Sequence, residues 1–131
     1  MKLTERDEKR LEGLHPDLVK VVRRAAEDTT LNFVVLEGMR TRARQEQLFA
    51  KGASKTMKSR HLTGHAVDLA PSIDTDGDGK PEISWDWPLY HQLEAIIKTA
   101  AAKEGVFIEW GGDWTSFKDG PHWQLPWGRY P

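Results

Sequence analysis

The chain has 131 residues, with 19 Lys and Arg against 20 Asp and Glu, and a formal net charge of −1. It contains no cysteine, which excludes disulfide scaffolds, thiolate zinc sites and cysteine nucleophiles. No apolar run approaches the ~20 residues that a transmembrane helix needs, and the charged N-terminus lacks the apolar core of a signal peptide.

The charge is divided unevenly along the chain. Residues 1–65 carry 14 basic and 9 acidic side chains, whereas residues 66–131 carry 5 basic and 11 acidic ones. All six tryptophans lie between Trp85 and Trp127. Because apolar residues recur throughout and the length suits one hydrophobic core, we expect a single folded domain over residues 1–131 rather than disorder.

The N-terminal half predicts three helices and one strand, from caps and apolar spacing. Thr4 can cap a short helix, and Pro16 suits the first turn of a longer, amphipathic one. In chain order the expected elements are a helix over residues 5–11, a helix from residue 16, a strand over 32–37, a helix from Thr41 to Gly52, and a mobile basic loop over 53–60.

The C-terminal half predicts three strands around one long helix. In chain order these are a strand over residues 65–69, a Gly/Asp turn over 74–80, a helix from Asp86 to Gly105 with Tyr90, Leu93, Ile96, Ile97 and Ala100 on its inner side, a strand over 106–110, and a strand over 121–125. The strands are too few and the helices too irregular for a doubly wound sheet. We therefore predict an α+β fold, a small antiparallel sheet flanked by helices.

Two segments collect the side chains that a metal ion needs, residues 59–69 and residues 119–125. Catalytic zinc typically takes three protein ligands from His and carboxylate side chains and leaves one position for water. His61, Asp68 and His122 would supply such a set.

The spacing within the first segment supports this set. Gly64 permits a turn before the strand at residues 65–69, so His61 can meet Asp68 from the loop side. A rival pattern pairs His61 with His65 at i, i+4 on a helix, but no Glu follows His61 and Gly64 disfavours a helix there.

Asp119 stands three residues before His122, with Gly120 and Pro121 between them. On a continuous strand the two side chains would face opposite sides of the sheet. Because Pro121 makes Asp119 a turn residue, both can face one site. The alternative is that Asp119 only caps the turn.

Four motifs in register resemble the D-alanyl-D-alanine carboxypeptidase-type metallopeptidases. They are Gly38-Met39-Arg40-Thr41 with Gln45, then Ser59-Arg60-His61 with Gly64, Ala66 and Asp68-Leu69, then Trp110-Gly111-Gly112-Asp113-Trp114, and last Asp119 with Pro121-His122 and Gln124. The branch that they match best is the phage endolysins that cut the L-alanyl-D-glutamate bond of peptidoglycan. Asp rather than Glu at position 119 agrees with that branch.

The resemblance implies a hedgehog/DD-peptidase-like fold and a role for each site residue. Zinc would be held by His61, Asp68 and His122, and Asp119 would be the general base. Bound zinc lowers the pKa of water from about 16 towards about 7, and a nearby carboxylate can take the proton. Arg40 resembles the cationic residue of the family that binds the substrate oxygen where negative charge builds.

A basic stretch, residues 40–60, holds seven Lys or Arg and one acidic residue, Glu46. Only the Gly-x-Arg match selects Arg40 over Arg42 and Arg44 within it. Such a stretch can bind nucleic acid, but no interleaved aromatic pattern or recognition motif supports that here. We expect an anionic cell-wall polymer as the partner and no nucleic acid.

Residues 74–80 resemble the opening half of an EF-hand calcium loop, with Asp at positions 1, 3 and 5 and Gly at position 6. The calcium set this suggests is Asp74, Asp76, Asp78 and Lys80. The twelfth position is Trp85 rather than Glu, although Glu82 or Asp86 could substitute. The alternative is a plain Asx/Gly-rich turn. Calcium would act by ordering the segment that follows Asp68.

The sequence therefore predicts a zinc peptidase of the endolysin type, with Zn²⁺ as cofactor and Ca²⁺ as a candidate regulator. We expect a monomer without membrane insertion, held in the host cytoplasm until a holin opens the membrane, with Trp114 in its cleft. Two alternatives stay open. A D-alanyl-D-alanine carboxypeptidase or dipeptidase would share the metal site, and a non-catalytic zinc-binding module would share the fold, although an intact ligand set with Asp119 argues against the latter.

Overall fold

The computed structural model describes residues 1–54 and 56–131, and within them four α-helices and five strands are formed. In chain order the elements are α1 Glu5–Arg10, α2 Pro16–Asp28, β1 Phe33–Glu37, α3 Arg42–Ala50, a 3₁₀ helix Arg60–Thr63, β2 Ala66–Ile73, β3 Glu82–Ile83, α4 Trp87–Glu104, β4 Glu109–Trp110, a 3₁₀ helix Gly111–Asp113 and β5 His122–Gln124. None of the helices in these ranges is both long and apolar enough to cross a membrane.

The sheet is antiparallel throughout and has the strand order β1-β2-β5-β4, with the short β3 paired to the far end of β2. The predicted α+β class with a small antiparallel sheet is confirmed. In this order β2 is central, and its register sets Asp68 opposite His122 on β5. The other neighbour of Asp68 is Glu37, at the end of β1 where the register shifts.

The core lies between the sheet and the two long helices, α2 and α4. The apolar stripe predicted for α2 is buried as expected, at Leu18, Val21, Val22 and Ala25. From α4 the core receives Tyr90, Leu93, Ile97 and Ala100, whereas Ile96 is only partly buried. Central strand β2 is buried over most of its length, at successive residues that face opposite sides of the sheet, so it shows little polar alternation.

Helix α1 covers the open edge of β1. Thr4 and Asp7 form a capping box at its N-terminus, as the Thr4 cap predicted. The second carboxylate oxygen of Asp7 accepts the Val35 N–H at 2.9 Å, and Arg10 Nη1 donates to the Val35 carbonyl at 2.9 Å. An edge strand exposes unpaired backbone groups, so these two side chains replace the missing neighbour strand at Val35.

Three boundaries differ from the prediction. The strand expected over residues 106–110 shortens to β4, because the chain leaves α4 through Gly105 with a φ of 69° and the Val106 N–H bonds back to Ala101. β2 runs on to Ile73, where β3 pairs with it, and β3 was not predicted. The loop expected over 53–60 ends in a 3₁₀ helix capped by Ser59, and its Lys55 lies outside the described residues.

Candidate active site

Three elements bring the predicted ligand side chains together. His61 comes from the 3₁₀ helix Arg60–Thr63, Asp68 from β2 and His122 from β5. His61 Nε2 lies 3.3 Å from Asp68 Oδ1, and His122 Nδ1 lies 3.4 Å from the same oxygen. We call these three residues the His–Asp–His trio. Their role as metal ligands stays a prediction, but the predicted convergence is present.

The trio suits a metal ion because its ligand atoms are close together and two of them are buried without a hydrogen bond in the described part of the chain. One ligand atom from each residue lies within 4.8 Å of the others. His61 Nε2 and Asp68 Oδ1 are buried and make no hydrogen bond within residues 1–54 and 56–131. Buried polar atoms are normally satisfied, so an unpaired lone pair from each side aimed at one point is typical of a metal site. Two imidazoles and one carboxylate are a donor set that suits zinc.

The outer nitrogens of the two imidazoles are already engaged. His61 Nδ1 lies 2.8 Å from the Gly38 carbonyl oxygen, which can only accept. His122 Nε2 lies 2.8 Å from Gln124 Oε1. In a neutral imidazole the nitrogen that donates leaves the other with a lone pair. When neutral, both rings are therefore oriented to present a lone pair towards Asp68.

Asp68 is ionised at the centre of the trio. Burial raises the pKa of this carboxyl, but His122 and His61, when protonated beside it, outweigh burial and hold the pKa well below its usual range. The site therefore presents a negative charge between two imidazoles, an arrangement that favours a divalent cation.

Asp119 lines the same cleft as the trio, on the turn that leads into β5. Its backbone makes the turn, since its N–H bonds to the Gly111 carbonyl and its carbonyl accepts the His122 N–H. Burial and the charge of Asp68 raise the pKa of the Asp119 carboxyl. A Cβ at position 111 would lie 2.4 Å from the Asp119 carbonyl oxygen, so glycine is required there.

Arg40 is distinguished from its neighbours by its anchoring. Its Nε pairs with the Glu37 carboxylate and its Nη1 donates to Gln45 Oε1 at 2.7 Å. Its Nη2 lies 3.9 Å from Asp68 Oδ2, so the guanidinium borders the trio. Arg42 is exposed and pairs with Glu46 instead.

A cleft of about 880 Å³ opens over the trio. Its lining combines basic side chains, Arg40, Arg44, Lys58 and Arg60, with aromatic ones, Trp114, Phe117 and Trp127. The two kinds adjoin, since the Arg60 guanidinium lies 3.9 Å from the centroid of the Trp127 ring. Trp114 lies in the cleft as predicted, with its ring centroid 5.1 Å from that of His122. His65, the rival ligand, contacts Thr63 at 2.7 Å, and Gly64 ends the short helix before it.

The acidic loop, residues 74–82, gathers four carboxylates, each with an oxygen within 4.8 Å of the others: Asp74, Asp76, Asp78 and Glu82. Glu82 rather than Asp86 completes the group. Asp74 accepts the Gly77 and Gly79 N–H groups at 2.9 and 2.8 Å, and Asp78 accepts the Lys80 N–H at 2.7 Å. These bonds are those of an Asx-rich turn, the alternative that the sequence left open.

Sequence reasoning missed two acidic residues of the cleft, Glu37 and Glu109. Glu37 pairs with Arg40 and stands opposite Asp68, and Glu109 stands opposite Gln124. Neither belongs to a recognisable motif, and strand register alone places them beside the site. His15 lies outside the cleft and caps α2 by accepting the Asp17 N–H.

The fold and the site together define a class: an antiparallel sheet that carries a His–Asp–His trio on the floor of a cleft. A family model described as phage L-alanyl-D-glutamate peptidase matches residues 1–124 of the chain. The chain belongs to this family, as its motifs indicated.

Two curated proteins and one crystal structure illustrate the relationship. The chain is 34% identical over 122 residues to the L-alanyl-D-glutamate peptidase of Escherichia phage T5, across 90% of this chain and 85% of that protein. It is 32% identical over 132 aligned positions to the peptidoglycan L-alanyl-D-glutamate endopeptidase CwlK of Bacillus subtilis strain 168, across 86% and 73%. The structure of Serratia marcescens L-Ala D-Glu endopeptidase ChiX matches with a TM-score of 0.88 and 44% identity, covering 100% of this chain and 94% of ChiX.

Proposed function

We propose that this protein is a zinc-dependent endopeptidase that hydrolyses the L-alanyl-D-glutamate bond of peptidoglycan stem peptides, as a phage endolysin. The observation that carries the proposal is the trio, whose buried lone pairs on His61 and Asp68 have no hydrogen-bond partner among the described residues. Membership of the L-alanyl-D-glutamate peptidase family supports the choice of bond.

The proposed chemistry divides between the trio and Asp119. Zinc, when bound by the trio, would supply Lewis-acid activation of water and of the scissile carbonyl. Asp119 shares the cleft and is proposed as the general base that takes a proton from the attacking water. It then returns a proton to the leaving amine of D-glutamate.

Arg40 is proposed to stabilise the negative charge that builds on the substrate oxygen. Glu37 and Gln45 hold its guanidinium from two sides, and the side chain is only 10% exposed. A cation fixed before the reaction needs no reorganisation when charge develops, which is how preorganised donors lower a barrier. Arg44 lines the same cleft but is exposed.

The side chains that line the cleft suit a peptidoglycan substrate. Basic side chains such as Arg44 and Lys58 attract the carboxylates that a stem peptide carries. Aromatic side chains of the same cleft, such as Trp114 and Trp127, offer flat apolar surfaces for the rest of the polymer. We propose a monomer that acts on the cell wall after release from the host cytoplasm.

Calcium on the acidic loop is a further part of the proposal. Three aspartates and Glu82 offer hard oxygen ligands, and Lys80 stands at the loop position that supplies a backbone carbonyl in an EF-hand. Calcium binding would order the acidic loop, which directly follows β2, the strand that carries Asp68.

Removal and return of the metal tests the proposed function. Chelation should abolish hydrolysis of purified peptidoglycan, and one equivalent of zinc should restore it. The variants His61→Ala and His122→Ala should hold far less than one zinc per chain by elemental analysis, with activity reduced in parallel. His65→Ala, outside the trio, is the matched control and should bind zinc like the wild type. Stoichiometric zinc in both trio variants would refute the ligand assignment.

A further inference from the structure

Glu109 lies at the end of a chain of hydrogen bonds that leads to the trio. It stands on β4 directly opposite Gln124 on β5. Its Oε2 accepts a hydrogen bond from Gln124 Nε2 at 3.1 Å and another from Trp114 Nε1 at 3.0 Å. Gln124 Oε1 in turn lies 2.8 Å from His122 Nε2. Glu109 has no role in the chemistry described above, yet it is two hydrogen bonds from a trio nitrogen.

The direction of this chain of hydrogen bonds is fixed by the carboxylate. An ionised carboxylate can only accept hydrogen bonds, whereas a glutamine amide has one donating and one accepting end. Glu109 therefore turns the NH₂ end of Gln124 towards itself and the Oε1 end towards His122. Since Oε1 accepts, a neutral His122 ring must carry its proton on Nε2, and its Nδ1 then keeps the lone pair.

Without Gln124 in this orientation, the opposite tautomer of His122 would be favoured. The ionised Asp68 carboxylate lies 3.4 Å from His122 Nδ1 and attracts a proton to that nitrogen. A proton on Nδ1 must leave before a metal can bind there. The acceptor at Nε2 opposes this pull, so the tautomer depends on how the Gln124 amide is held.

His61 has no comparable dependence on a side chain. Its Nδ1 faces the backbone carbonyl of Gly38, whose accepting character no substitution changes. The tautomer of His122, by contrast, depends on the Gln124 side chain and can be changed by substitution. Trp114, the second donor to Glu109, also lies with its ring 5.1 Å from the His122 ring, so the same carboxylate holds two of the side chains that contact that imidazole.

We propose that Glu109 is a positioning residue of the active site: it orients the Gln124 amide and thereby selects the His122 tautomer whose Nδ1 lone pair faces Asp68. The proposal rests on the proposed function for the metal-binding role of the trio. It predicts that Glu109 acts without touching metal or substrate, and that its effect passes through an accepting oxygen rather than through a negative charge.

The first test compares Glu109→Met with Glu109→Gln in metal-free protein at alkaline pH, where imidazole is neutral. Long-range ¹H–¹⁵N spectra, with His122→Ala for assignment, report which His122 nitrogen carries the proton. We expect the Nε2-protonated ring in the wild type and a marked gain of the Nδ1-protonated ring in Glu109→Met. Zinc affinity in that variant should fall roughly tenfold to a hundredfold, the usual effect of losing an outer partner of a metal-bound histidine.

Glu109→Gln should retain the wild-type tautomer and zinc affinity, for a specific reason. Trp114 Nε1 can only donate, so it turns the oxygen of the new amide towards itself, where that oxygen also reaches Gln124. This rescue should disappear in the double variant Glu109→Gln/Trp114→Phe, because nothing then orients the new amide. Trp114→Phe alone should keep the tautomer, since a carboxylate accepts in any orientation.

The set of variants stays decisive if Glu109→Met does not fold, because Glu109→Gln keeps the side-chain volume and Trp114→Phe keeps an aromatic ring at a position that is only partly buried. An unchanged His122 spectrum and zinc affinity in folded Glu109→Met, or in the double variant, would overturn the proposal. Failure of the proposed function has a different signature: the metal-free tautomer would respond to Glu109 as described, while zinc-loaded wild type would leave the L-alanyl-D-glutamate bond intact.

Discussion

At the scale of single residues, the arrangement of the trio lowers the stability of the metal-free protein. A buried polar atom without a partner costs about 1–3 kcal/mol, and His61 Nε2 and Asp68 Oδ1 are two such atoms within the described chain. Meanwhile the outer nitrogens of both imidazoles have good acceptors, so the rings cannot turn to relieve this cost. The arrangement does not add to the stability of the metal-free fold, and it is typical of a binding site.

Substitutions at His61 and Asp119 should distinguish zinc binding from catalysis. Asp119→Asn keeps the shape of the side chain and removes the group that accepts the proton. We expect stoichiometric zinc and a rate of peptidoglycan hydrolysis lower by about a hundredfold to ten-thousandfold, the range typical of general acid–base catalysis. His61→Ala should lose both. Zinc content and initial rates measured on the same preparations check this.

Asp113→Asn is the matched control for Asp119→Asn, because Asp113 is an exposed acidic residue that pairs with Lys98 on the surface. Its rate should match that of the wild type. Wild-type activity in metal-loaded Asp119→Asn would refute the assignment of the base.

The residues of the site that could be predicted from the sequence are those that stand in motifs. His61, Asp68, His122 and Asp119 are all in the cleft, as their spacing indicated. Glu109 was not predicted, because its importance depends on a strand register that pairs it with Gln124 and on no local pattern.

At the scale of elements, the attachment of α1 to β1 shows how one side chain can serve two elements. Asp7 is 1% exposed; its two oxygens accept the Thr4 N–H that starts α1 and the Val35 N–H on the open edge of β1. The Thr4 cap was predictable from sequence, whereas the bond to Val35 was not, since 28 residues separate its partners.

Asp7→Ala should therefore lose both bonds at once. We expect the free energy of unfolding to fall by about 2–4 kcal/mol, which combines a lost N-terminal capping interaction with an unsatisfied buried N–H. Urea unfolding monitored by tryptophan fluorescence measures it. Glu5→Ala is the control, since Glu5 is exposed in the same helical turn and should cost less than about 1 kcal/mol. Equal losses in the two variants would contradict this account of the edge.

The acidic loop is the element whose ligand is tested most simply. If it binds calcium, the ion should raise the melting temperature of the wild type, because a ligand that binds only the folded state stabilises it. Asp76→Ala should abolish the shift, since Asp76 belongs to the carboxylate group. Asp86→Asn is the control, because Asp86 lies outside that group and should respond like the wild type. Superimposable calcium titrations of wild type and Asp76→Ala would reduce the loop to a turn.

At the scale of the whole molecule, the uneven charge of the sequence acquires a spatial meaning. Part of the acidic excess beyond residue 65 consists of Asp68 in the trio, Asp119 in the same cleft and the four carboxylates of the acidic loop. Several basic residues of the stretch 40–60 line the cleft, among them Arg44 and Lys58. The net charge of −1 is thus the sum of basic residues that partly line the cleft and carboxylates that are clustered elsewhere in the chain.

The order of helices and strands was largely predictable, because caps, apolar stripes and glycines mark each boundary locally. Strand β3 was not, since Glu82–Ile83 is two residues long and is a strand only through its pairing with β2. The shortened β4 has the same origin: residues 106–108 have an apolar sequence typical of a strand, but the end of α4 captures the Val106 N–H. Tertiary contacts, not propensity, decided both.

The central claim is that the trio and Asp119 serve cleavage between L-alanine and D-glutamate. The most direct measurement is to digest purified peptidoglycan with the zinc-loaded protein and identify the new termini by labelling and mass spectrometry, with Asp119→Asn as the blank. We predict new amino-terminal D-glutamate and new carboxy-terminal L-alanine. Release of D-alanine without new D-glutamate termini would contradict the claim and identify a D-alanyl-D-alanine carboxypeptidase instead.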